Sequence, residues 1–76
     1  MNGETLSVMI DRGVWITVHS LDEASMHVRT RIEAEGYGAS HWYPRVGKNG
    51  APIRRGARTV GWISYNGRVW LKARAS

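Results

Sequence analysis

Residues 20–36 read SLDEASMHVRTRIEAEG, and this stretch decides the fold because it combines a helical period with a start and a stop signal. Ser20 and Glu23 have the S-x-x-E spacing of a capping box, in which each side chain binds a free backbone N–H. Apolar residues then recur at spacings of three, four and four, namely Leu21, Ala24, Val28 and Ile32. Gly36 is placed to end the element. The pattern predicts a helix over 21–35 with one narrow apolar stripe.

Alternating apolar residues precede this helix. Every second residue is apolar in 6–10 and again in 14–18, which is the period of a strand. Asp11, Arg12 and Gly13 separate the two runs, and the glycine is available for a positive φ angle. The sequence therefore predicts a β-hairpin over residues 5–19.

A second hairpin is predicted at the other end of the chain. Asn66-Gly67 is the strongest short hairpin signal, and it lies between strand patterns at 60–65 and 68–73. A two-residue turn would pair Ile63 with Trp70 and Trp62 with Leu71. One face, expected to be the core, would then carry Val60, Trp62, Ser64, Val69 and Leu71. The other face would carry Ile63, Tyr65, Arg68, Trp70 and Lys72.

The segment 36–58 is interrupted by glycine and proline too often to predict regular structure. Tyr37, Trp42 and Tyr43 are candidates to anchor its first part, whereas residues 47–58 are expected to form a flexible basic loop. The order of elements is then ββαββ. This order predicts a single α+β domain over 1–76, with a four-stranded antiparallel sheet and one helix packed on a face.

Charge is divided sharply along the chain. Residues 1–35 contain three basic and six acidic residues, a net −3, whereas residues 36–76 contain eight basic and no acidic residues, a net +8. A half-chain without counter-charges attracts polyanions. This division indicates an electrostatic partner surface more than a site of chemistry.

Two features of the basic half predict where such a partner binds. The outer face of the last hairpin mixes rings with cations, as do surfaces that stack bases and bind phosphates. The basic loop adds cations, with two rings just before it. The candidate nucleic-acid-binding residues are Trp42, Tyr43, Arg45, Lys48, Arg54, Arg55, Arg58, Tyr65, Arg68, Trp70 and Lys72.

The same rings and cations are also compatible with packing or with protein contacts. The ring-bearing face could pack under the long loop or against a second subunit, because Trp and Tyr are also common in interfaces. The loop cations could pair with Glu33 and Glu35, or bind an acidic protein surface. A small core favours a homodimer, since a chain of this size buries little apolar surface.

Several classes of protein are disfavoured by composition. There is no cysteine, hence no disulfide and no thiolate metal site, which fits a cytoplasmic protein. The N-terminus lacks the basic and apolar regions of a secretory signal, and no apolar stretch approaches the length of a membrane span. His41 and Ser40 have no neighbouring carboxylate to complete a catalytic set. We therefore expect a non-enzymatic protein without metal or cofactor.

Three stretches carry a resemblance to other proteins. Residues 20–25 (SLDEAS), 38–40 (GAS) and 63–70 (ISYNGRVW) resemble short proteins of proteobacterial plasmids and phages, a group without a settled function. The likeness covers the helix and the last hairpin and leaves out the basic loop, so it implies no site residue. It implies a mobile-element setting, where small orphan domains often act as regulators or inhibitors, such as anti-CRISPR proteins. The main hypothesis is a nucleic-acid-binding module, and the alternative is such an inhibitor bound to an acidic host protein.

Overall fold

Five strands and two helices follow one another in the computed structural model, which describes residues 5–72. They are β1 (Leu6–Asp11), β2 (Val14–Val18), α1 (Leu21–Glu35), α2 (Ala39–Val46), β3 (Ala51–Arg55), β4 (Arg58–Ile63) and β5 (Val69–Leu71). The strands form one antiparallel sheet in the order β2-β1-β3-β4-β5. The α+β class is confirmed, but the prediction of four strands and one helix was wrong. The residue expected to end the last strand, Ala73, lies outside the described part.

The first hairpin and the long helix were predicted correctly. Ser20 Oγ accepts a hydrogen bond from the Glu23 N–H at 3.0 Å, so the expected N-cap is present. Glu23 Oε1 accepts from the His19 N–H at 2.6 Å rather than from that of Ser20, one residue earlier than a standard capping box. Gly36 ends α1 in the left-handed conformation with φ 70°.

The segment 36–58 is ordered, and its description as a loop was wrong. Trp42 and Val46 are one helical turn apart in α2 and both are buried. Their burial offsets the cost of Pro44 inside the helix, which removes one backbone hydrogen bond. Ile53 on β3 lies opposite Val8 of β1 and is fully buried, so β3 is an interior strand of the sheet.

The predicted register of the last hairpin was also wrong, by one residue. Ile63 lies opposite Val69 and Trp62 lies opposite Trp70, so the loop has three residues instead of two. Gly67 ends this loop at φ 89°, and its N–H donates to the Ser64 carbonyl at 2.8 Å. A slip of one residue exchanges the two faces of a strand.

This slip exchanges buried and outward residues on β4. Ile63 is in the core with 0% exposure, whereas Trp62 and Ser64 point to the opposite face. Val69 and Leu71 keep the predicted side, as do Arg68, Trp70 and Lys72, because the error falls on β4 and its loop alone. Leu71 is nevertheless 62% exposed, so its expected place in the core was wrong.

Both helices pack on one face of the sheet and leave the other face open. The fully buried side chains of the core come from both layers, and include Val8, Val28, Trp42, Ile53 and Ile63. The open face therefore contains the side chains that the core does not use.

Across residues 5–72, no helix is both long and apolar enough to cross a membrane.

Candidate functional site

A row of large apolar side chains crosses the open face of the sheet. Trp15 lies opposite Met9, Pro52 lies opposite Trp62, and Trp62 lies opposite Trp70. The register between β1 and β3, continued by one position, places Met9 beside Pro52. The row therefore has one member on each of the five strands. Strands lie about 4.8 Å apart, so the four steps span about 19 Å. We call these five residues the apolar row.

Arginine side chains cover two of the three indole rings. The Arg54 guanidinium carbon lies 4.5 Å from the centroid of the Trp15 ring, and that of Arg68 lies 4.2 Å from the centroid of Trp70. The Trp70 indole also donates from Nε1 to Ser64 Oγ at 2.7 Å, which fixes the plane of the ring. Trp15 and Trp70 remain 37% and 48% exposed, so both rings are accessible beside their cations.

The open face is positively charged, without compensating carboxylates in the described part of the chain. Arg54, Arg68 and Lys72 share it by strand register. Four carboxylates lie on α1, on the opposite side of the sheet, namely Asp22, Glu23, Glu33 and Glu35. The fifth, Asp11, is buried on the helix side. The described carboxylates therefore all lie on the helix side, and the charged side chains of the open face are cations alone.

A groove joins this face to the turn between α2 and β3. It has a volume of about 330 Å³ and is lined by Tyr43, Lys48, Asn49, Trp62, Ser64 and Trp70. Gly50 brings the turn against β4, because its backbone packs on the Ile63 carbonyl. Two indoles, a lysine and three uncharged polar groups thus meet at one end of the apolar row. Volumes of this order suit a small ligand group.

The structure separates the predicted site residues into groups. Arg54, Arg68, Trp70 and Lys72 lie on the open face. Tyr43 and Lys48 lie in the groove at its end. The remaining residues lie elsewhere: Trp42, Arg45, Tyr65, Arg55 and Arg58.

Trp42 and Tyr65 belong to the helix side of the sheet. Trp42 is fully buried, so its ring offers no free face to a base, and its expected stacking role has no support. The Tyr65 ring lies 6.1 Å from that of Trp42, and its hydroxyl donates to the Tyr37 carbonyl at 2.8 Å. Both rings stabilise the packing of α2 instead of facing outward.

Arg45 is engaged by a buried carboxylate. Its Nε donates to Asp11 Oδ1 at 2.5 Å, and its guanidinium lies 5.1 Å from the centre of the Tyr37 ring. Asp11 also accepts from Tyr37 Oη at 2.8 Å and from Arg31 Nε at 3.1 Å. Burial raises the pKa of Asp11, but the hydrogen bonds from Arg45, the Arg12 N–H, Tyr37 and Arg31 outweigh it and hold that pKa well below its ordinary value. Arg45 is thus part of an internal network and has little capacity for a phosphate.

Arg55 and Arg58 lie opposite each other at the turn between β3 and β4. The register assigns Arg55 to the helix side, whereas its neighbour Arg54 faces the open side. Both are exposed at the end of the sheet, outside the group formed by the apolar row and its two arginines.

Sequence reasoning missed Trp15 and Trp62. In the alternating pattern of β2, Trp15 points to the face opposite that of its neighbours Val14 and Ile16, and this pattern indicates a ring that faces outward. Trp62 was assigned to the core through the register error. Both belong to the apolar row, so the aromatic surface is larger than the sequence indicated.

These features define a class: an α+β domain with two helices on one face of its sheet and an aromatic, cationic opposite face. Comparison of the chain with protein families, with curated proteins and with solved structures found no match. Within residues 5–72, no three His, Cys, Asp or Glu side chains are grouped to hold a metal ion. The resemblance to plasmid and phage proteins stays a prediction.

Proposed function

We propose that the protein binds single-stranded nucleic acid through the open face of its sheet. The observation that carries the proposal is the apolar row, in which Trp15 and Trp70 each lie beneath an arginine on a face free of carboxylates in the described residues. Exposed indoles stack on unpaired bases, and arginine both stacks on bases and binds phosphate.

The geometry favours a single strand over a duplex. The bases of a duplex are already stacked on one another, whereas those of a single strand can leave the stack and lie on a protein ring. A row of three indoles over about 19 Å offers several such contacts to one strand. Phosphates between the stacked bases would meet Arg54, Arg68 and Lys72.

A second copy of the chain fits this face less well. Two copies related by a two-fold axis would bring the arginines of both chains together, without carboxylates between them in the described residues, and like charges repel. An acidic host protein would match the positive charge of the open face. It is the partner to be expected if this chain is an inhibitor encoded by a mobile element. It leaves the exposed indole rings without a specific role, so it is the second candidate.

The direct test is a titration of tryptophan fluorescence with thymidine oligonucleotides of about twelve nucleotides, within the usual site size of such surfaces. We expect saturable quenching that weakens steeply between low and near-physiological salt. The slope of log K against log salt should be about −0.7 for each phosphate bound. Absence of any response at low salt overturns the proposal. Capture of a host protein that survives nuclease treatment would then support the second candidate.

Matched double variants locate the surface. Arg54→Ala/Arg68→Ala and Arg55→Ala/Arg58→Ala remove the same charge, but the first pair lies over the indoles and the second lies at the end of the sheet. We expect the first variant to bind more weakly. Its slope of log K against log salt should be less steep by about 1.4, for the loss of two phosphate contacts. Equal effects in the two variants would mean that net charge, and not the open face, drives binding.

A further inference from the structure

The groove at the end of the apolar row contains hydroxyl groups whose orientation is fixed by the protein. Tyr43 Oη accepts a hydrogen bond from the Tyr65 N–H at 3.0 Å. Ser64 Oγ accepts from Trp70 Nε1 at 2.7 Å. Each oxygen thus has a donor on one side, and its own hydrogen must point away from that donor.

These hydroxyl hydrogens have no acceptor among residues 5–72, so each is available to a ligand as a donor. Lys48, on the same groove, has three donors and no acceptor. The side-chain amide of Asn49 can donate through its nitrogen and accept through its oxygen. The groove therefore presents more donors than acceptors, beside the two indole rings of Trp62 and Trp70.

Nucleobases differ in the groups that would meet these donors. Uracil, thymine and guanine carry a carbonyl oxygen where cytosine and adenine carry an amino group, which is itself a donor. An amino group facing the Tyr43 and Ser64 hydroxyls could use only the lone pair that each oxygen retains, and would leave the two hydroxyl hydrogens without an acceptor, which costs affinity.

We infer that the groove binds one base of a single strand through its carbonyl oxygens, and so prefers uracil, thymine or guanine to cytosine or adenine. The inference rests on the proposed function, because it assigns base selection to one end of the same surface. The ring of the base would stack on Trp62 or Trp70, and Lys48 would bind either a carbonyl or the adjacent phosphate.

Oligonucleotides of deoxyuridine and deoxycytidine test the inference. The two bases have the same ring size and differ in the group at position 4 and in the hydrogen on N3, so stacking and phosphate contacts are matched while the hydrogen-bonding edge is changed. Titrations are made at neutral pH and constant low salt. We expect tighter binding to oligo-dU than to oligo-dC, by about 2- to 10-fold, the range for one net hydrogen bond.

Variants connect the preference to the groove. Tyr43→Phe and Ser64→Ala should each lower the affinity for oligo-dU, leave that for oligo-dC nearly unchanged, and so move the ratio towards one. Ser40→Ala removes a hydroxyl from the exposed side of α2 and should keep the wild-type ratio. Tyr43→Phe leaves the Tyr65 N–H without its acceptor, so thermal unfolding is compared; Ser64→Ala frees only an indole N–H that water can reach.

Two failures remain distinguishable. Equal affinity for the two oligonucleotides, or a preference for oligo-dC, overturns the inference and leaves the proposed function intact. The groove donors would then serve the phosphate or sugar that both strands share. Failure to bind either oligonucleotide at low salt overturns both proposals.

Discussion

The guanidinium of Arg54, on β3, lies over the indole ring of Trp15, on β2, although β1 runs between the two strands. Ser7 of β1 lies opposite Arg54, and its short side chain leaves room for the arginine to cross. An exposed cation–π pair contributes about 0.5–1 kcal/mol, enough to hold the ring and the charge together. A base would therefore meet a ring and a cation that are already held together, and would stack on the guanidinium or on the part of the indole that the guanidinium leaves exposed.

The indole rings should contribute most of the binding energy. We expect Trp15→Ala and Trp70→Ala each to lower the affinity for a single strand, by about 1–3 kcal/mol for the loss of one stacked base. Met26→Ala is the control, because Met26 is 62% exposed on α1, behind the sheet. Fluorescence anisotropy of a labelled oligonucleotide measures all three without depending on the removed tryptophan. An equal loss in the control would contradict the assignment to the open face.

The register of the last hairpin predicts opposite effects for two neighbouring residues. Ile63 is fully buried, so Ile63→Ala should lower the free energy of unfolding by about 3 kcal/mol through lost burial and a cavity. Trp62 faces the open side, so Trp62→Ala should cost less stability and lower nucleic-acid affinity instead. Urea unfolding and oligonucleotide binding are measured on both variants. The reverse result, with Trp62→Ala the more destabilising, would support the register with a two-residue turn instead.

The first hairpin and α1 could be predicted because several local signals agree at each of them. Strand alternation and a turn agree over 5–19, and at α1 the cap, stripe and terminal glycine agree. The next segment could not be predicted, because Pro44 and its glycines argue against regular structure locally. The burial of Trp42 and Ile53 by distant residues decides its fold, and no local pattern contains that information.

The register of the last hairpin and the outward direction of Tyr65 were predicted wrongly for the same reason. Asn66-Gly67 favours a two-residue loop, but Tyr65 packs near Trp42 and its N–H donates to Tyr43 Oη. These contacts hold Tyr65 within the loop and lengthen the loop to three residues. Arg68 and Trp70 were nevertheless placed correctly, because the register error did not reach β5.

Gly50 should be indispensable to the position of the groove. A Cβ atom at this residue would lie 2.2 Å from the Ile63 carbonyl oxygen, and its φ is 109°. We expect Gly50→Ala to lower stability by more than the roughly 1–2 kcal/mol of a simple left-handed alanine. Gly36→Ala is the control, since its φ is 70° but nothing lies within 4 Å of the added atom. Thermal unfolding compares them, and equal losses would mean that the close approach to β4 is unimportant.

Asp11 should be the main charged determinant of stability. Its carboxylate is 2% exposed and contacts Arg31 and Arg45, so Asp11→Ala leaves two cations without their buried partner. Loss of one partner of a buried pair typically costs about 3 kcal/mol. Glu35→Gln removes an exposed carboxylate that also contacts Arg31, and should cost less than about 0.5 kcal/mol. Urea midpoints at neutral pH distinguish the two, and similar losses would contradict a special role for Asp11.

The same carboxylate predicts how stability changes in acid. The pKa of Asp11 is lower in the folded protein than the ordinary 3.8, so the unfolded chain takes up a proton first as the pH falls. Its stabilising effect is complete above about pH 4 and decreases as the pH falls towards the depressed folded value. Asp11→Asn cannot titrate and should show a shallower loss of stability over this range. Some dependence of stability on pH should remain in this variant, because the hydrogen bond from the His19 N–H lowers the pKa of Glu23 as well. A variant that loses stability as steeply as the wild type below pH 4 would show that other carboxylates control acid unfolding.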